Sequence, residues 1–169
     1  MKSKIFILNG NATCGKDTFA QIVSNYVRTS HFSIVDPIRK IMSILPKDVE
    51  IDLANKDEKL RLLTSDLKLA LERFSDYPYR KVKNFIEEEG KTNECIFIDM
   101  REKHNIDRLK KEYNAKVVFI ENNRAPKITS NIADAHIFEN PYDIKIENNG
   151  TLEDLKKEAK SFVEKNVLI

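Results

Sequence analysis

Cysteine is scarce in this 169-residue chain: only Cys14 and Cys95 occur, far apart and without metal-ligand spacing. That speaks against a disulfide framework and against a cysteine-based zinc site. Histidine is scarce as well, and its three copies are too scattered to form a zinc pattern. Charge of one sign is also missing: 29 Lys and Arg stand against 27 Asp and Glu, with no basic stripe. Aromatic residues make up 8% of the chain and fall mainly at core spacings. Neither feature suits base stacking or tracking of a phosphate backbone, so no nucleic acid is expected as a partner. Long hydrophobic runs are lacking too. No stretch approaches the roughly 20 apolar residues of a membrane span, and the opening MKSKIFILNG is interrupted too soon for a signal peptide. These absences point to a cytoplasmic, globular protein with no membrane association, expected as a monomer or homodimer.

What is present suffices for one domain with a real core. Apolar residues reach 41% and charged residues 33%, the balance of a globular chain. Short β-branched or aromatic runs predict strands at 4–8, 31–35, 95–99, 116–120 and 143–146. The first, third and fourth are nearly continuous apolar stretches, the mark of strands buried on both faces of a parallel sheet. Between them, helical spacing groups Phe19, Ile22, Val23, Tyr26 and Val27 on one face, and Leu60, Leu63, Leu67, Ala70 and Phe74 on another. Ile106, Leu109 and Tyr113 repeat the pattern, and Leu152, Leu155, Ala159 and Phe162 close it after an N-cap at Thr151. The expected class is α/β: a five-stranded parallel sheet with helices on both faces. Residues 36–90 hold no convincing strand and read as a helical insertion between the second and third strands. Residues 122–141 are long for a connection and read as a lid. The whole of 1–169 is taken as one domain.

The strongest chemical signal is NGNATCGKDTFA, directly behind the first strand and opening a helix. Gly10, Asn11, Ala12, Thr13, Cys14, Gly15, Lys16, Asp17 and Thr18 have the spacing of a phosphate-binding loop. Glycines let backbone N–H groups turn around phosphate oxygens, and the helix N-terminus adds partial positive charge. Lys16 would reach the β- and γ-phosphates. The usual loop has Ser or Thr where this chain has Asp17, a residue that could hold magnesium or simply favour the helix N-terminus. Thr18 points about 100° away around the helix. Cys14 reads as a small packing residue, with redox control as the lesser reading. In IFIDMRE, Asp99 ends a buried strand where α/β sheets bind ligands, and Arg101 has the fork to grip a phosphate. A solvated strand-end acid and arginine would look the same. Arg124 stands in the lid-like connection and Arg61 opens the LRLLTSDLK helix.

GKDT (15–18), DMR (99–101) and the tail NPYDIKIENNGTLEDLKKE together resemble the phage-type deoxynucleoside monophosphate kinases. More distantly they resemble the animal-type phosphomevalonate kinases. Both groups lie on the nucleoside monophosphate kinase branch of the P-loop fold. VDPIRK (35–40) is similar to their step after the second strand, although Asp36 replaces their glycine. The resemblance implies a small kinase with ATP as donor, Mg2+ as its ion, and a (deoxy)nucleoside monophosphate as acceptor. It implies that Asp17 or Thr18 helps hold Mg2+ and that Asp99 orients a water. Arg61 and Arg101 would grip the acceptor phosphate, with Asp36 and Arg39 beside them, and Arg124 would close from the lid. An acceptor of the phosphomevalonate or dephospho-coenzyme A type is the alternative, and a non-catalytic nucleotide-binding module is another.

Overall fold

The computed structural model describes residues 3–55, 57–125 and 141–168. Most of the expected lid, residues 126–140, lies outside them. The strands are β1 (Lys4–Asn9), β2 (Thr29–Ser33), β3 (Cys95–Asp99), β4 (Lys116–Glu121) and β5 (Ile144–Glu147). The helices are α1 (Lys16–Val23), α2 (Asp36–Met42), α3 (Glu58–Ser75), α4 (Tyr77–Glu89), α5 (Lys103–Tyr113) and α6 (Leu152–Asn166). The five strands form one sheet in the order β2-β3-β1-β4-β5, and every pairing is parallel. This is the α/β class expected from the sequence.

Alternation along β1 and β3 divides the core. Ile5, Ile7, Ile96 and Ile98 face Tyr79, Val82 and Ile86 of α4 and Ile106 and Leu109 of α5. Phe6, Leu8 and Phe97 face Phe19 of α1 and Leu155, Ala159 and Phe162 of α6. Phe162 lies at the centre of that layer, with ring centroids 4.8 Å from Phe6, 5.3 Å from Phe19 and 5.9 Å from Phe97. Both faces being covered explains why β1, β3 and β4 are nearly unbroken apolar runs. α6 starts from a capping box, in which Thr151 accepts from the Asp154 N–H and Asp154 accepts from the Thr151 N–H. Among the described residues no helix is long and apolar enough to cross a membrane.

Three expectations need correction. β2 runs over Thr29–Ser33, not 31–35, because the chain turns at Ile34. There the Ser33 N–H donates to Asp36 Oδ2 and Pro37 enters the first turn of α2. As an edge strand β2 tolerates polar Thr29 and Ser30, which hid its start. α1 ends at Val23, and Tyr26 beyond it is exposed. The stripe expected to be the inner face of α3 looks outward: Leu63 is 40% and Phe74 87% exposed. The fully buried residue of α3 is instead Lys68. The helix turns its polar side inward because Glu102, on the β3–α5 connection, meets the Lys68 ammonium there. α4 follows after one residue, Asp76, held in the left-handed region at φ 54°. Arg108 of α5 grips the Asp76 carboxylate with two hydrogen bonds of 2.6 and 2.9 Å while stacking on the Tyr79 ring.

Candidate active site

In open parallel sheets ligands bind beyond the carboxyl ends of the strands, where the connections diverge to opposite faces. Here that place is the end of β1, flanked by β3 on one side and β4 on the other. Asn9 ends β1 with its side chain accepting from the Gly10 N–H at 2.9 Å. Gly10 has φ +141°, and a Cβ there would stand 2.5 Å from the Ile120 carbonyl oxygen and 2.7 Å from Cys14 Sγ. Gly15, the N-cap of α1, has φ +102°. Both positions therefore need glycine for backbone and for space. Lys16 Nζ lies inside the turn, donating to the Gly10 and Asn11 carbonyls at 3.2 and 3.0 Å. Cys14 is fully buried, and burial raises its thiol pKa although Lys16 and Arg101 oppose the shift. It packs the loop as a neutral group. Asn148, in the turn after β5, donates to the Cys14 carbonyl at 2.9 Å and braces the loop from outside.

One cleft of about 580 Å³ opens beside this loop. Ala12, Thr13 and Gly15 to Thr18 line one side of it. Asp36 and Arg39 reach it from α2, Arg61 and Lys68 from α3, and Asp99, Arg101 and Glu102 from the end of β3. Register explains the last group, since Asp99 pairs with Leu8 on β1 and with Ser33 on β2. Arg101 is pulled below the ordinary arginine value by burial, with Asp99 and Cys14 opposing and Arg61 adding to the fall. Two guanidinium groups thus act on the same volume. Arg124 does not line the cleft; its side chain donates to the Asn149 carbonyl at 2.6 Å, on the tail turn.

A sequence profile described as deoxynucleotide monophosphate kinase matches residues 72–159, just over half of the chain. The chain belongs to that family. It is a kinase, a phosphotransferase acting on nucleotides or other phosphorylated substrates. No curated protein matches it. Several solved structures share its fold at low identity. Thymidylate kinase from Candida albicans has 12% identity and a TM-score of 0.57, over 98% of this chain and 92% of that one. Dephospho-CoA kinase from Campylobacter jejuni has 19% identity and a TM-score of 0.53, over 98% of both. Shikimate kinase from Aquifex aeolicus has 16% identity and a TM-score of 0.53, over 97% and 98%. The family assignment as a phosphotransferase stands against the non-catalytic module weighed earlier.

Two groups of the kinase's cleft, and one brace beside it, were not legible in the sequence. His31 stands on β2 with Nε2 3.1 Å from Asp99 Oδ1 and Nδ1 3.9 Å from Asp17 Oδ1. Burial lowers its pKa, but Asp99, then Asp17 and Asp36, outweigh that and hold it above the usual histidine value. Strand alternation was its only signal: Phe32 points to the α4 side, where it stacks on Phe85, so His31 points to the loop side. The Lys68–Glu102 pair was hidden because both residues looked like surface charges. Burial holds the Lys68 ammonium below its ordinary value, against the pull of Glu72. Asn148 lies in the turn after β5, and nothing local in the sequence links it to the loop it braces.

Proposed function

We propose that this kinase transfers the γ-phosphoryl group of ATP to the phosphate of a (deoxy)nucleoside monophosphate. In this reading residues 10–18 hold the donor, and the insertion over 36–90 holds the acceptor. The supporting observation is that Lys16 and the Arg61–Arg101 pair share one cleft. A phosphate is the anion that guanidinium forks match best, and two such forks on one cleft suit it.

The chemistry asks little covalent help from the protein. A phosphate monoester has its second pKa near 6, so the attacking acceptor oxygen is already anionic at neutral pH. It attacks the γ-phosphorus in line, the bond to the β–γ bridging oxygen breaks, and ADP carries that oxygen away. What must be supplied is alignment and charge neutralisation. Lys16 would leave the Gly10 and Asn11 carbonyls it now meets and turn to the transferred group. Arg101 and Arg61 would fix the acceptor phosphate, with Arg39 and Asp36 lining the same cleft. Arg124 would have to release the Asn149 carbonyl to close from the lid. Mg2+, when bound, offsets charge on the phosphoryl oxygens. Asp17, Thr18 and Asp99 present the hard oxygen donors that suit it, and Asp99 Oδ1 is buried at the cleft, 3.1 Å from His31 Nε2. Two buried free cysteines fit a reducing cytoplasm as the compartment.

The test is a panel of ribo- and deoxyribonucleoside monophosphates incubated with ATP and purified protein, with nucleoside diphosphate read by chromatography. At least one acceptor should turn over, and Lys16→Ala should abolish it. No turnover on any nucleotide, under conditions where ATP binds, overturns the nucleotide assignment. Turnover of phosphomevalonate or dephospho-coenzyme A alone would transfer the reading to that class of acceptor.

A further inference from the structure

α3 carries an open apolar row. Leu63, Leu67, Ala70 and Phe74 follow one another at spacings of four, three and four residues. Alternation of three and four is the seam of a two-helix coiled coil. Phe74 is 87% and Leu63 40% exposed, Ala70 is exposed and Leu67 half-buried. The row is separate from the cleft, which Arg61, Thr64, Ser65 and Lys68 line from another side of the same helix.

The charges beside the row say what kind of helix fits it. Asp66 and Arg73 stand on one flank, both exposed, and neither has an ion-pair partner among the described residues. Surface charges on α5 and α6 do pair within the chain, as in Lys103–Asp107 and Lys156–Glu153. Seven residues apart, Asp66 and Arg73 are separated by about 10 Å of helix rise and cannot meet each other. A second α3 running antiparallel removes that obstacle. With Leu67 set against the partner's Ala70, and Leu63 against the partner's Phe74, Asp66 comes beside the partner's Arg73. A two-fold axis makes each of these pairings twice. Other arrangements do worse. Parallel helices would set Asp66 across from a leucine, Leu71, and an antiparallel slide of one heptad would set Asp66 against its own copy.

We propose that this face of α3 binds a second copy of the chain as an antiparallel helix pair. The seam is only about three turns long, so the contact belongs to the weak class that buries less than about 1,200 Å². The pairing does not depend on the kinase reading.

Sedimentation velocity of the full chain, from about 10 μM to about 1 mM, covers the range of a weak interface. The wild type should pass from monomer toward dimer. Leu63→Gln and Phe74→Ser should each weaken the dimer by roughly 10-fold or more. Asp66→Arg alone and Arg73→Asp alone set like charges across the axis and should weaken it by about 3–10-fold. Mixing those two charge variants in equal amounts should restore wild-type association, because each chain then meets the opposite charge twice. Circular dichroism of dilute samples, where the chain is monomeric, should find Phe74→Ser and both charge variants as stable as wild type, as their exposure requires. A chain still monomeric at about 1 mM overturns the proposal. So does a dimer that Phe74→Ser and the charge variants leave unchanged, or one that mixing does not restore. Binding of the monomer to anionic phospholipid vesicles through Phe74 would give the row to a membrane surface and overturns it equally.

Discussion

Replacing Lys68 with Met tests the least expected feature of the fold. The Lys68 side chain is 5% exposed and its partner Glu102 14% exposed, so both charges sit out of water. Lys68→Met keeps most of the stem volume and removes the ammonium, which leaves the Glu102 carboxylate buried without its cation. Breaking a buried pair from one side costs about 3–5 kcal/mol, whereas replacing both partners with apolar residues is often neutral or stabilising. Arg101 is near enough for its charge to act on Lys68, so it offsets part of the loss and the lower end, about 3 kcal/mol, is expected. At roughly 2–4 °C per kcal/mol for a chain of this size, the melting temperature should fall by about 6–12 °C. Urea unfolding followed by circular dichroism would give the free energies for Lys68→Met, Glu102→Leu and the double variant. The double variant should recover most of the loss, a coupling of about 2 kcal/mol or more. A single-variant cost below about 1 kcal/mol, or a double variant no better than the singles, would refute the reasoning that these side chains are mutually dependent buried charges.

Other outcomes follow from the packing. Phe162→Ala empties the centre of a four-phenylalanine cluster and should cost about 3–5 kcal/mol in urea unfolding; a cost under about 1 kcal/mol would mean that the layer is not closely packed. Phe74→Ser removes a ring that is 87% exposed and should change stability by no more than about 0.5 kcal/mol. A large loss there would restore the outward stripe of α3 to the core. The Asp154 carboxyl is held at about 2 by the Thr151 N–H and hydroxyl, below its unfolded value. Its contribution is therefore complete above the ordinary aspartate range and disappears as pH falls through that range toward about 2. Asp154→Asn should lower the urea midpoint at neutral pH and narrow its difference from wild type near pH 2; equal differences at both would contradict the cap.

The legible parts of this kinase are those written in neighbouring residues. β1, β3 and β4 were found because strands covered on both faces must be apolar at consecutive positions, and the structure covers them with α4 and α5 on one side and α1 and α6 on the other. The phosphate loop was found because its chemistry demands two glycines and a lysine at set spacing between a strand and a helix, which is where Gly10, Gly15 and Lys16 stand. β2 slipped by two residues because an edge strand carries a weaker pattern. For α3 the periodicity located the helix but not the side that turns inward, since an apolar stripe can cap a groove edge while a charged one finds a buried partner 34 residues away.

Chain-local spacing thus pointed to the parallel sheet and the glycine-lysine loop, and the resemblance carried by those short motifs implied a kinase, for in each case the physical demand falls on residues a few positions apart. The company kept by Asp17, His31 and Asp99, and by Lys68 and Glu102, was settled by the strand order β2-β3-β1 and the rotation of α3. Those depend on how distant segments share one core, and burial of a charge has no signature until its partner is in place.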